Sequence, residues 1–296
     1  PCGTLFPYTT LFRSVAGAGV GALSGGIGSS VAASSGIVAG AVAGGAISGA
    51  GMGLTTGAAN GQDFGTTLGM TIGGAFQGGI LGLAGGTVGG AIGGGWGALA
   101  GGATSGALGT AMNGGSGKDI LIGAAIGGAT GFGMYHLNTS IAYKQYKNSG
   151  VTFDGETLSY RQFAGMSADF QRSKFWGREF GGVLTENGGY VHRYKTHPLL
   201  NPEGQTRVHW DVENFPWDTW ATSHSHFATP GSSAPDGGKY VQYHSPRDYR
   251  FDSKWNISSL VVNKYDASFN SQVGHYSMPF TGNFYRHPYY FYFWGF

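Results

Sequence analysis

The sequence predicts an α+β fold in which Gly/Ala-rich helical hairpins precede a domain of mixed sheet flanked by helices. Three observations predict it. Of 58 glycines, 43 lie within residues 1–140. Between Val15 and Met134 only Asp63, Lys118 and Asp119 carry a charge. Beyond residue 150, a helical spacing of apolar residues gives way to short alternating runs cut by turn signals. The expected division is 1–14, 15–135, a linker at 136–150, and a domain over 151–296.

Residues 1–14 stand apart. Thr4–Ser14 reads TLFPYTTLFRS, which matches the in-frame translation of a sequencing adapter, so it is set aside as an expression tag would be. On that reading the natural chain is expected to extend further towards its N-terminus. The single cysteine, Cys2, adjoins this stretch, so no disulfide framework is expected. The net charge of +2, with no Lys/Arg run, argues against a nucleic-acid partner.

Over residues 15–135 the glycines are periodic. They recur at 45, 49, 53, 57, 61, 65, 69 and 73, then at 74, 78, 82, 86, 90 and 94, and in a third register at 85, 89, 93, 97 and 101. Four-residue spacing lays a bare ridge along a helix and lets backbones approach closely. Each glycine costs about 1 kcal/mol against alanine inside a helix, so such helices need one another or lipid. Turn signals at Asn60–Asp63 and Asn113–Asp119 break the run. Similar stretches follow each break, Thr71–Ala75 and Ala125–Ala129, as in a weak duplication of helical hairpins. The low charge favours lipid, whereas the abundant Gly, Ser and Thr lower the hydrophobicity an inserted span needs. Residues 35–135, and Asn113–Ile120 above all, resemble the Gly/Ala-rich segment before the toxin domain of Rhs-type polymorphic toxins.

After Met134 the texture changes. Leu158, Phe163, Met166 and Phe170 give Glu156–Phe175 a helical pattern. Glu179–Thr185 and Tyr190–Tyr194, separated by Asn187-Gly188-Gly189, read as a hairpin. Further strands are expected at Thr206–Trp210, Trp220–His224 and Ile257–Asn263. Helix, strands, helix and strand together describe an α+β domain.

The chemistry-bearing segment is Thr222–His226. On an extended segment the side chains alternate, so His224 and His226 share one side, as a pair of zinc ligands does. Nine histidines make a chance pair unremarkable, so the surroundings decide. A Glu at the start of a Gly-containing strand (Glu179–Leu184) comes first, then His224-x-His226, then Ser245-x-x-Asp248. This order resembles the JAMM (MPN-plus, JAB-like) metallopeptidase pattern over about 70 residues.

That resemblance implies zinc held by His224, His226 and Asp248 with an open fourth position, Glu179 as general base, and Ser245 as hydrogen-bond donor to an oxyanion. The general chemistry agrees. Three protein ligands leave a site for water, whose pKa the metal lowers. A neighbouring carboxylate takes the proton, and a hydroxyl stabilises the developing charge. Two departures from the pattern stand out. Phe227 follows the second histidine where the family has proline, and the gap to Ser245-x-x-Asp248 is longer than the family's, while Ser233-x-x-Asp236 at the more typical distance offers Asp236 as an alternative third ligand. Asp248 is preferred because Ser245-Pro246 is a good helix start, Gly237-Gly238 is a poor one, and the apolar run Leu260–Val262 follows soon after.

Glu186 is the second candidate base. His192, His197, His209 and His244 read as surface histidines, and the aromatic tail Tyr285–Trp294 as packing residues. The leading expectation is a zinc peptidase or isopeptidase acting on a peptide or ubiquitin-like protein. It would be a secreted or contact-delivered effector, with an immunity protein as partner and membrane contact through residues 15–135. A metal-dependent nuclease is the enzymatic alternative, and it lacks a basic patch. A glycine-zipper membrane-insertion protein with an inert binding module is the non-enzymatic one.

Overall fold

The structure, a computed structural model, describes residues 37–148, 150, 152–153, 155–200, 207–226, 246–263, 267–271 and 274–278. The adapter-like segment, residues 15–36, Thr206, Phe227, Asp236, His244, Ser245 and the aromatic tail lie outside them. The chain is mixed α and β and divides into two compact units. One takes the described residues up to Gly90 together with Gly97–Phe132. The other takes Ala91–Trp96 and the described residues from Gly133 on.

Four helices account for the glycine-rich region and its continuation: α1 (Ile37–Ala59), α2 (Phe64–Ile92), α3 (Gly94–Met112) and α4 (Gly117–Asn148). The chain reverses at Asn60-Gly61 and Asn113-Gly114, where Gly61 and Gly114 adopt positive φ. Asp63 caps α2, its carboxylate accepting from the Thr66 N–H at 3.0 Å and the Thr66 hydroxyl at 2.6 Å. At the start of α4, Ser116 and Asp119 cap reciprocally: the Ser116 N–H donates to Asp119 at 2.9 Å, and the Asp119 N–H to the Ser116 hydroxyl at 3.4 Å. Two of the three charges in this region are therefore spent on helix starts. A third reversal, at Gly93-Gly94 with both φ positive, divides what the glycine period alone would run together.

Within the first unit, the glycines at the helix contacts face backbone, and many large side chains face outward. A Cβ added to Gly49 would collide with the carbonyl of Gly74, one on Gly78 with that of Gly45, and one on Gly106 with that of Gly123. By contrast, Phe64, Ile72 and Phe76 are 83, 62 and 72 % exposed. This reverses the usual amphipathic helix, whose apolar side chains face the core. Three helices, α1, α2 and α4, are long and apolar enough to cross a membrane.

The second unit has its own core. Residues 136–148 continue α4 as helix, where the sequence suggested a linker. Once the glycines thin out, Ala142 and Tyr146 become buried core residues, and Tyr143 packs against them. The Tyr143 hydroxyl donates to the Leu158 carbonyl at 2.9 Å, and the Leu158 N–H to the Tyr146 hydroxyl at 2.9 Å. Helix α5 (Tyr160–Trp176) starts in a capping box of Ser159 and Gln162 and stops at Gly177, which adopts a left-handed conformation. Its Phe163, Met166 and Phe170 are buried with Leu184, Leu260 and Val262 of the sheet.

Six strands form that sheet: β1 (Gly181–Thr185), β2 (Tyr190–Val191), β3 (Thr219–His226), β4 (Ser258–Asn263), β5 (Ala267–Ser271) and β6 (Gly274–Met278). Their order is β2-β1-β3-β4-β5-β6. Neighbours are antiparallel except β3 and β4, which are parallel. A parallel pair needs a crossover, and helix α6 (Pro246–Trp255) lies in it. Strands β5 and β6 were not anticipated.

The hairpin is shorter than its sequence suggests. β2 ends at Val191, because Arg193–Lys195 turns to pair with residues 209–211. The Lys195 N–H donates to the His209 carbonyl at 2.8 Å, and the Asp211 N–H to the Arg193 carbonyl at 3.0 Å. The strand expected at Thr206–Trp210 is thereby reduced, among the described residues, to a Tyr194–Trp210 bridge. Asp169 of α5 anchors the same hairpin. Its buried carboxylate accepts from the Tyr190 hydroxyl at 2.7 Å, pairs with Arg172 at 3.0 Å and lies 3.0 Å from His192 Nε2.

The glycine contacts generate a contrast. Gly49→Ala should destabilise the helical unit by about 1–3 kcal/mol through overpacking. Gly73→Ala, at a glycine with nothing within 4 Å of its virtual Cβ, should stabilise it by up to about 1 kcal/mol through helix propensity. Thermal unfolding of the full chain in detergent, followed by circular dichroism, checks both. Equal effects at the two positions would remove the packing argument.

Candidate metal centre

Strand β3 places the two histidines. Ser225 faces α5, where its hydroxyl lies against that of Ser173, and alternation sends Thr222, His224 and His226 to the opposite face. His224 and His226 are both buried, and their Nε2 atoms are 3.2 Å apart. The parallel crossover then brings α6 over that face. Asp248 Oδ1 lies 3.4 Å from His224 Nε2, and Oδ2 lies 3.9 Å from His226 Nε2.

Antiparallel register places the fourth residue. Gly181 pairs with His224, and continuing that register sets Glu179 opposite His226. Glu179 Oε1 lies 3.8 Å from His226 Nε2, and Oε2 accepts from the Val208 N–H at 3.4 Å. The close pairing depends on glycine. A Cβ at position 181 would meet the Ser223 carbonyl and, at 2.9 Å, both Cα and Cβ of His224. The Tyr194 hydroxyl clamps the same residue, accepting from the Gly181 N–H and donating to its carbonyl.

Helix α6 is held from behind by a residue the sequence reading passed over. Asp252, one turn after Asp248, is buried and accepts from the Ser259 hydroxyl of β4 at 2.5 Å. A second acid four residues along the same helix face was the available signal.

The electrostatics of the cluster are tightly coupled. Burial pushes the Glu179 carboxyl up to about 7, with His224 opposing and Asp248 adding to the rise. Burial by itself disfavours charge on His224, yet Asp248 and Glu179 outweigh it and raise the imidazole to about 9. Raised in this way, Glu179 and His224 hold protons that a divalent metal would release on taking over the donor set.

The spacing fits such an ion. Tetrahedral bonds near 2 Å set ligand atoms about 3.3 Å apart, and His224, His226 and Asp248 each offer one ligand atom within 4.8 Å of the others. His224 Nδ1 is buried with no hydrogen-bond partner among the described residues, leaving Nε2 as the atom turned to the cluster. Thus the structure brings together Glu179, His224, His226 and Asp248. Glu186 is exposed past the opposite end of β1, about 17 Å along the strand from Gly181. His192 is bound up with Asp169. Asp236 and Ser245 lie outside the described residues.

Comparison with protein-family models, with characterised proteins and with solved structures finds no match to this chain. The site therefore rests on its own geometry.

Cobalt(II), whose visible bands report tetrahedral coordination, should bind in one equivalent to the full chain. His226→Ala should abolish those bands, and Gly181→Val should weaken binding at least about tenfold by displacing His224. Retention of wild-type spectra by both variants would place the metal elsewhere.

Proposed function

We propose that residues 151–296 form a zinc-dependent peptidase or isopeptidase of JAMM type. The observation carrying this reading is the convergence of two imidazoles and one carboxylate on one point, with a second carboxylate, Glu179, 3.8 Å from the second imidazole. Three ligands of the nitrogen and oxygen types, with a free position, are the pattern of catalytic zinc. When bound, zinc supplies Lewis acidity that brings the pKa of a coordinated water near neutrality.

The protein's own groups do the rest. Glu179, with its carboxyl raised to about 7, is matched to taking a proton near neutral pH and returning it to a leaving amine. The Val208 N–H fixes the rotamer by holding Oε2 while Oε1 remains toward the histidines. Ser245, immediately before α6, supplies the oxyanion donor in this reading. The order of the motif supports an amide substrate in a peptide or ubiquitin-like protein. Placement after a glycine-rich segment like that of Rhs-type toxins supports a secreted or contact-delivered effector with a cognate immunity protein.

Glu179→Gln tests the assignment. Zinc stoichiometry should stay near one, while hydrolysis of a quenched fluorescent peptide library falls at least about a hundredfold, the usual contribution of a general base. Loss of zinc would make Glu179 a ligand. Unchanged turnover would remove it from the reaction.

A second activity, membrane insertion, is favoured by three helices of sufficient length and hydropathy whose large side chains face outward. A glycine-zipper bundle of this kind buries backbone against backbone and offers its apolar side chains to lipid. The full chain should float with phosphatidylcholine vesicles and resist alkaline extraction. Complete recovery in the soluble fraction would overturn the membrane reading.

A further inference from the structure

A cavity of about 280 Å³ is lined by Lys195, Val208, Trp210, Val212, Glu213, Phe251 and their neighbours. Two chain connections tie it to the metal centre. Val208, in its wall, donates to Glu179. Phe251, also in its wall, follows Asp248 by three residues on α6 and so shares its helix face.

The lining has a definite chemistry. Trp210 is the centre of an aromatic group, its ring 6.1 Å from Tyr194, 6.1 Å from Phe215 and 6.5 Å from Phe251. Lys195 and Glu213 are exposed at the rim, one of each sign. An apolar concavity with a few polar groups at its mouth is the pattern of a ligand pocket, and drug-sized ligands need upward of about 300 Å³. This cavity is smaller, of the size for one large side chain.

Building on the hydrolase reading, we infer that this cavity is a side-chain subsite. It receives an aromatic or large aliphatic residue flanking the amide to be cleaved. Its floor stacks with a ring, and its balanced rim selects against a charged side chain, since either sign meets both attraction and repulsion. The peptide backbone then passes Val208 on its way to Glu179, so occupancy of the cavity fixes which amide reaches the metal centre.

The test separates the subsite from the hydrolase. The full chain, stripped of metal with a chelator, is titrated with N-acetylphenylalaninamide and N-acetylalaninamide by calorimetry or saturation-transfer NMR. The aromatic amide should bind at least about tenfold more tightly. Phe251→Ala should weaken it about tenfold, and Val212→Trp, which fills the cavity from its wall, should abolish it, both with unchanged circular dichroism. Equal binding of the two amides, no binding, or binding indifferent to both variants overturns the subsite. In zinc-loaded protein, library cleavage should be enriched for Phe, Trp and Leu beside the cut, and Val212→Trp should erase that preference at unchanged zinc stoichiometry. Cleavage without preference would reject the subsite and leave the hydrolase standing. Aromatic-selective binding without any zinc uptake would do the reverse.

Discussion

Gly181 sits opposite His224 in the antiparallel pair of β1 and β3, with no room at position 181 for even a methyl group. Everything at the site is built outward from that contact. At position 181 the strand carrying Glu179 lies too close to the strand carrying the histidines to admit a Cβ. The register then delivers Glu179 opposite His226, and alternation along β3 sends both imidazoles to one face. The parallel neighbour β4 requires a crossover, and the hydroxyl of Ser259 on that strand grips Asp252, which presents Asp248 one turn earlier. A hydrogen bond this short, from strand to helix, orients the short helix.

The sequence made the site more legible than the sheet around it. His224-x-His226 on a strand and an acid in the first turn of a helix are local patterns, each readable from a few residues. The unit boundary near Gly133 falls where the glycine content drops, but the linker expected at 136–150 is helix through Asn148. Tyr143 and Tyr146 at helical spacing carried the correct signal. The run after Tyr190 misled for a different reason: which neighbour Arg193–Lys195 pairs with depends on a segment some fifteen residues away, and alternation cannot report that choice. Asp169 could not be recognised as the hairpin's anchor, since an acid in a helical stretch reads as a solvated face until its partners Tyr190, His192 and Arg172 are brought to it.

The two units apply opposite rules to the same chemical alphabet. In the second, Phe163, Met166 and Phe170 turn inward and close a core against the sheet. In the first, the inward positions are glycine and the bulky positions face out. Packing without side chains relies on dispersion between backbones, which does not require water to drive it. Burial of large side chains relies on water leaving apolar surface. Under the membrane reading, the helical unit packs where the hydrophobic effect between helices is absent, whereas the core of the sheet domain relies on it.

The antiparallel succession of the four helices places the turns at Asn60–Asp63 and Ser116–Asp119 at one end of the first unit. That end holds Asp63, Lys118 and Asp119, a net charge of one negative unit. Under the membrane reading, the hairpin of α1 and α2 enters a bilayer with this end leading. Moving one elementary charge through a membrane potential involves about 2.3 kcal/mol per 100 mV. An inside-negative potential opposes inward passage of an anionic tip by that amount and favours passage in the other direction. The caps that start α2 and α4 thus give the bundle an electrical polarity, with the two aspartates setting its sign and Lys118 limiting its size.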